Sequence, residues 1–106
     1  MATKNFILHV PLASISSAAV TASYQAINSG GLPNACHGIT ITNDSNQDVT
    51  VSFDGTNDHD YLPAGESLTI NTPPPLLNGN RAGTVVSVKG TAGTGNVYLA
   101  GSYLPQ

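Results

Sequence analysis

With 106 residues the chain has room for one domain around one core, and with 8% charged residues against about 25% in an average soluble protein its surface must be built from Thr, Ser, Asn and Gly. A net charge of −3 with three scattered cations, Lys4, Arg81 and Lys89, excludes nucleic acid as a partner, and no run approaches the ~20 apolar residues of a membrane-spanning helix. One cysteine, Cys36, excludes an intramolecular disulfide and a thiolate metal cluster, and a reducing compartment is the simpler reading.

Apolar residues recur with period 2 and not 3.6, which predicts strands. Phe6 to Val10 is the first, apolar on both faces. It is too short, and too broken by His9 and Pro11, to be a signal peptide. Between Ala18 and Ile27 a second, half-buried strand is expected, with Val20, Ala22, Tyr24 and Ala26 on one face and Thr21, Ser23 and Gln25 on the other. Ser29 to Asn34 forms a loop. Ile39 and Ile41 alternate with Thr40 and Thr42 in a third strand, and Asn43 to Gln47 reads as a turn. Val49, Val51 and Phe53 then give a fourth strand, the expected hairpin partner of the third. Leu62 to Gly65 fits a type I turn ahead of a fifth strand carrying Leu68 and Ile70. Pro73, Pro74 and Pro75 with Asn78, Gly79 and Asn80 make a stiff crossover to the opposite sheet. Val86 and Val88 mark a sixth strand, Gly90 to Gly95 a hairpin loop, and Val97, Leu99 and Gly101 a seventh strand. The expected fold is a single antiparallel β-sandwich of about seven strands over residues 1–106, Greek-key or jelly-roll-like, with a small barrel as the alternative.

Few residues carry candidate chemistry. All six carboxylates, Asp44, Asp48, Asp54, Asp58, Asp60 and Glu66, fall in a stretch without Lys or Arg. Asp54, Asp58 and Asp60, with Asn57 and His59, form the one weak candidate loop for a Ca²⁺ ion, which takes six to eight oxygens. Its spacing fails the EF-hand pattern, since Gly55 is second and Gly65 stands where the bidentate acid belongs. Asp and Asn are also ordinary turn formers, so a solvated acidic loop is the expected reading. No G-x-S-x-G elbow accompanies His9, His37 or His59, and Cys36 and His37, as strand neighbours, point to opposite faces. Gly90, Gly93 and Gly95 lack the lysine and helix of a phosphate cradle. Tyr61, Tyr98, Tyr103 and Phe53 could line a sugar site, but Tyr98 and Tyr103 have opposite strand parity. No catalytic residue, cofactor or metal centre is expected, and the chain reads as a binding or structural protein and not an enzyme.

The runs Ile39-Thr-Ile-Thr-Asn43, Val49-Thr-Val-Ser-Phe-Asp-Gly55, Leu62-Pro-Ala-Gly-Glu-Ser-Leu68, Val86-Ser-Val-Lys-Gly90 and Gly95-Asn-Val-Tyr-Leu-Ala-Gly101 resemble small β-sandwich virion proteins of tailed bacteriophages, the last two as a closing hairpin. The resemblance implies a capsid decoration, cement or minor head protein. Its alternatives are a head-tail connector or tail component, and a sugar- or calcium-binding module of a host-recognition structure. The implied partners are the major capsid protein or neighbouring virion proteins and further copies of the chain. Residues 1–30 lie outside the resemblance and are expected to serve oligomer or capsid contacts. The implied place is the virion, after synthesis in the host cytoplasm without a signal peptide.

Overall fold

A computed structural model describes residues 8–33, 36, 38–71 and 83–103. It is all-β, with nine strands: β1 (Leu8–His9), β2 (Ala13–Ser16), β3 (Gln25–Ala26), β4 (Gly38–Ser45), β5 (Val49–Ser52), β6 (Asp60–Leu62), β7 (Ser67–Asn71), β8 (Ser87–Gly90) and β9 (Gly95–Tyr103). They form two separate antiparallel sheets, ordered β1/β2-β9-β4-β7 and β3-β8-β5-β6, so the molecule is a sandwich and not a closed barrel. β1 and β2 share one edge of β9: His9 faces Ser102 and Ala13 faces Leu99, four residues against three, so the strand bulges once around Pro11.

The pairings are nested. β5 pairs with β6, β4 with β7, β3 with β8 and β1/β2 with β9. Among the described strands only β5 and β6 are successive and paired; apart from the bulge that joins β1 to β2 along β9, every other connection passes from one sheet to the other. This is the strand order of a jelly roll. It corrects two expectations. β4 and β5 do not form a hairpin, because Asn46 to Asp48 carries the chain across to the second sheet, and β8 and β9 do not form one either. Period-2 alternation identifies a strand's faces and says nothing of which strand lies beside it.

Local chemistry explains the other departures. The strand expected over Ala18–Ile27 is a 3-10 turn at Ser17–Ala19 followed by the two-residue β3. Polar side chains capture the backbone there: Ser16 Oγ accepts from Ala18 N–H, and Thr21 Oγ1 accepts from Ser23 N–H. Val20 and Ile27 still reach the core, while Ala22 is exposed. β2 is an additional strand, with Ala13 and Ile15 half-buried and Ser14 and Ser16 exposed. β4 runs on through Ser45, so Asn43 is a buried strand residue and not the start of a turn. The turn after β6 is one residue later than expected, since Glu66 N–H donates to Pro63 C=O and Gly65, at φ +81°, takes the third position of a type II turn. In β1 His9 is exposed, so that strand is not covered on both faces. Phe6, Ile7, His37, Arg81 and the proline-rich crossover lie outside the described residues, although β7 and β8, which flank the crossover, do lie in opposite sheets.

The core lies between the sheets. Ile39, Ile41, Val97 and Leu99 of the first meet Val49, Val51, Leu62 and Val88 of the second, each burial contributing roughly 1.5–3 kcal/mol. Strand parity then turns the alternate residues outward, and these make the candidate site.

Candidate functional site: the outer face of the first sheet

Register aligns the outward residues in rows. Ser16, Asn96 and Asp44 form one, Ser14, Tyr98, Thr42 and Ser67 the next, then Ala100, Thr40 and Thr69, and finally His9, Ser102 and Gly38. Among the described residues this face carries one charged side chain, Asp44, at its end. Hydroxyls tie the rows together: Thr40 and Thr69 share a 3.2 Å hydrogen bond and Ser67 donates to Thr42 at 3.3 Å. Tyr98 OH accepts from Asn96 Nδ2 at 3.3 Å. Small residues at Gly38 and Ala100 leave an open depression of about 240 Å³ between the Thr40–Thr69 ridge and His9 and Ser102. A flat array of short hydroxyl side chains loses little rotamer entropy and little hydration when another surface covers it.

The outer face of the second sheet is different, because its own loop covers part of it. Residues 53–59, which hold Asp54 and Asp58 of the acidic cluster, are strapped to the sheet by Asp58, which accepts from Tyr24 OH and pairs with Lys89 at 3.0 Å, while Lys89 lies 4.8 Å from the Tyr24 ring centre. Phe53 N–H donates to His59 Nδ1 at 3.0 Å and the two rings pack at 5.7 Å. The candidate carboxylates are thus brought near one another in sequence but not to one point. Asp54 accepts from the N–H groups of Thr56 and Asn57, the Asn57 amide and the Ser52 hydroxyl. Asp60 Oδ1 accepts from Tyr61 N–H at 2.9 Å. Among the described residues no three His, Cys, Asp or Glu side chains converge as metal ligands do.

The remaining sequence candidates are dispersed. His9 sits on the first sheet's outer face and His59 in the loop. Cys36 is fully buried, which pushes its thiol pKa up and leaves it a poor nucleophile. Three amides of the Gly90 to Gly95 loop are already taken: Gly90 N–H donates to Thr21 C=O, Gly93 N–H to Ser17 C=O and Thr94 N–H to Asn46 Oδ1. Tyr61 and Tyr98 lie on opposite outer faces of the sandwich, so they share no sugar platform. The hydroxyl face itself escaped the sequence reading as a site, although the outward parity of Thr40, Thr42, Tyr98 and Ala100 was its signal. No helix among the described residues is long and apolar enough to cross a membrane.

The loop carboxylates give a pH dependence with a definite sign. Backbone N–H groups of Asn57 and Thr56 hold Asp54 far below the usual carboxylate range; the Tyr61 hydroxyl and Ala64 N–H lower Asp48, and Tyr24 and Lys89 lower Asp58. Partial burial and Asp58 together push Tyr24 up to about 12. A carboxylate whose folded pKa lies below its unfolded value stabilises the fold above the unfolded pKa and loses that contribution as pH falls toward the folded one. Melting temperature is therefore expected to be flat from about pH 7 to pH 5 and to decline below about pH 4, and Asp54→Asn should flatten the decline in a pH series of thermal melts.

No protein-family model matches the chain, and no curated protein matches it. Among solved structures it is similar to one described in the words "Bacillus endospore appendages form a novel family of disulfide-linked pili", with a TM-score of 0.55 and 13% identity, covering 100% of this chain and 96% of that one. The likeness is one of fold.

Proposed function

We propose that the protein is a structural component of a tailed-phage virion, a capsid decoration or cement protein that acts by protein contacts and not by turnover. The observation that carries this reading is the outer face of the first sheet: among the described residues it is four strands wide, nearly free of charge and left open, while the second sheet is partly covered by its own loop. A small domain holds a particle together by bridging, and a specific interface takes about 800 Å² from each partner. The open face supplies the particle contact, and copies of the chain associate with one another. The solved neighbour is described in the context of disulfide-linked pili, an ordered protein assembly, and a like role as an assembly component fits the proposal. The disulfide is not carried over, because Cys36 is the one cysteine in the sequence and is 0% exposed.

The test is co-sedimentation with phage particles that lack this chain. The purified protein should saturate on the particles, and Thr40→Arg or Ala100→Arg, each placing a bulky cation in the middle of the face, should weaken binding at least about tenfold with melting temperature nearly unchanged. Equal binding by these variants, or no binding by the parent, overturns the proposal.

A further inference from the structure

The four sheet edges are not equally protected. The β1/β2 edge is interrupted by Pro11 and a bulge, β3 has two residues, and β6 has three and begins at Asp60. These are the devices by which edges avoid pairing with other chains. β7 is the least protected: after the bulge that sets Gly65 and Glu66 opposite Asn43, Ser67 to Asn71 is five residues long, carries no charge and no proline, and pairs continuously with β4. Asn43 exchanges backbone hydrogen bonds with Gly65 and Glu66, so antiparallel alternation directs Leu68 toward β4 and turns the N–H and C=O groups of Ser67 and Thr69 away from it. Among the described residues nothing pairs with those outward groups.

We infer that the β7 edge pairs antiparallel with the β7 edge of a second copy about a two-fold axis at Thr69, fusing the two first sheets into one. The register follows from the charges. Centred on Thr69, the pairing sets Thr69 opposite Thr69 of the other copy, a polar uncharged pair of the kind that stabilises a ladder, with position 67 in register with position 71. It also keeps the flanking Glu66 residues apart: six residues of ladder set the two about 20 Å from each other, beyond the screening length at physiological salt. A self-paired edge closes the assembly at two copies, whereas pairing with a different edge would run on into a polymer. The union places two nearly uncharged faces side by side, doubling the surface open to a common partner. Five residues of edge bury less than a standard interface, so the dimer is concentration-dependent in solution and is reinforced where both copies sit on one particle.

This deepens the self-association half of the proposed function and does not depend on the capsid. Sedimentation velocity of the purified chain over a wide concentration range should show a monomer–dimer equilibrium. Thr69→Lys and Thr69→Glu each set like charges opposite one another and should weaken the dimer at least about tenfold, while an equimolar mixture of the two restores it as a heterodimer. Circular dichroism on each variant confirms that the fold is kept, as expected for an exposed side chain. A parent that stays monomeric, a parent that forms open polymers, variants that dimerise like the parent, or a mixture that fails to pair would each overturn the inference. Particle binding that survives in such a case leaves the capsid reading standing.

Discussion

Replacing Asn43 with alanine is expected to destabilise the protein by about 3–4 kcal/mol, a large fraction of the stability of a domain this size. The residue is wholly buried on β4, in the first sheet, and its Nδ2 donates to Leu62 C=O of β6 in the second sheet at 3.1 Å and to Gln47 C=O in the crossing segment at 2.8 Å. Its Oδ1 accepts from Ser45 Oγ, which in turn donates to Gln47 C=O at 3.0 Å. One side chain therefore fastens both sheets to the connection between them. Alanine takes the amide donor from Leu62 C=O, one of the two donors from Gln47 C=O and the acceptor from Ser45 Oγ, at a combined cost of roughly 2–3 kcal/mol, and leaves a small void costing about 1 kcal/mol besides. Urea denaturation should show a lower midpoint with an unchanged slope, and the melting temperature should fall by about 15 °C or more. Asn43→Asp, which keeps the shape but turns a carboxylate toward two carbonyl oxygens, should be worse than alanine. A loss below about 1 kcal/mol in both variants would mean the amide is not what joins the sheets.

Asn43 also shows where the sequence stops being legible. Read alone, Asn-Asp-Ser-Asn-Gln is a turn by composition, and the alternation on either side invites a hairpin. What decides otherwise is the fate of the side chains. Asn43 and Ser45 point inward and satisfy the backbone of Gln47, so the chain folds across the sandwich and not back along β4. The strands themselves were readable because apolar residues such as Ile39, Ile41, Val49, Val51, Val97 and Leu99 must all face one core. Their neighbours were not, because nested pairing joins strands as distant as β2 and β9 through contacts that leave no local pattern.

The same division applies to the candidate site. Parity alone places Thr40 and Ala100 outward, but that they stand side by side follows only from the β4·β9 register. The acidic loop was evident from composition, yet the direction of its carboxylates was not. Asp54 turns into its own loop and Asp58 toward Tyr24 and Lys89, two residues far from it in sequence, so closeness along the chain overstated the cluster.

Gly95→Ala is expected to cost at least about 3 kcal/mol, for two separable reasons. Gly95 has a φ of +96°, in the left-handed region that a residue with a Cβ enters at a cost of roughly 1–2 kcal/mol. A Cβ there would also stand 2.2 Å from Asp44 C=O and 2.9 Å from Ser45 Cα, both backbone atoms of the neighbouring β4, which would have to move. Gly65 isolates the first effect, since its φ is +81° but no atom lies within 4 Å of a Cβ built on it. Gly65→Ala should therefore lose about 1–2 kcal/mol and Gly95→Ala clearly more, the difference measuring the close approach of β9 to β4. That approach sets the start of the ladder pairing Asn96 with Asp44, Tyr98 with Thr42 and Ala100 with Thr40, and hence the flatness of the outer face. If the alanine variant still folds at low temperature, its particle binding should fall further than that of the Gly65 variant at equal folded fraction. Equal stability losses at the two glycines would show that the crowding at the β4 end does not position β9.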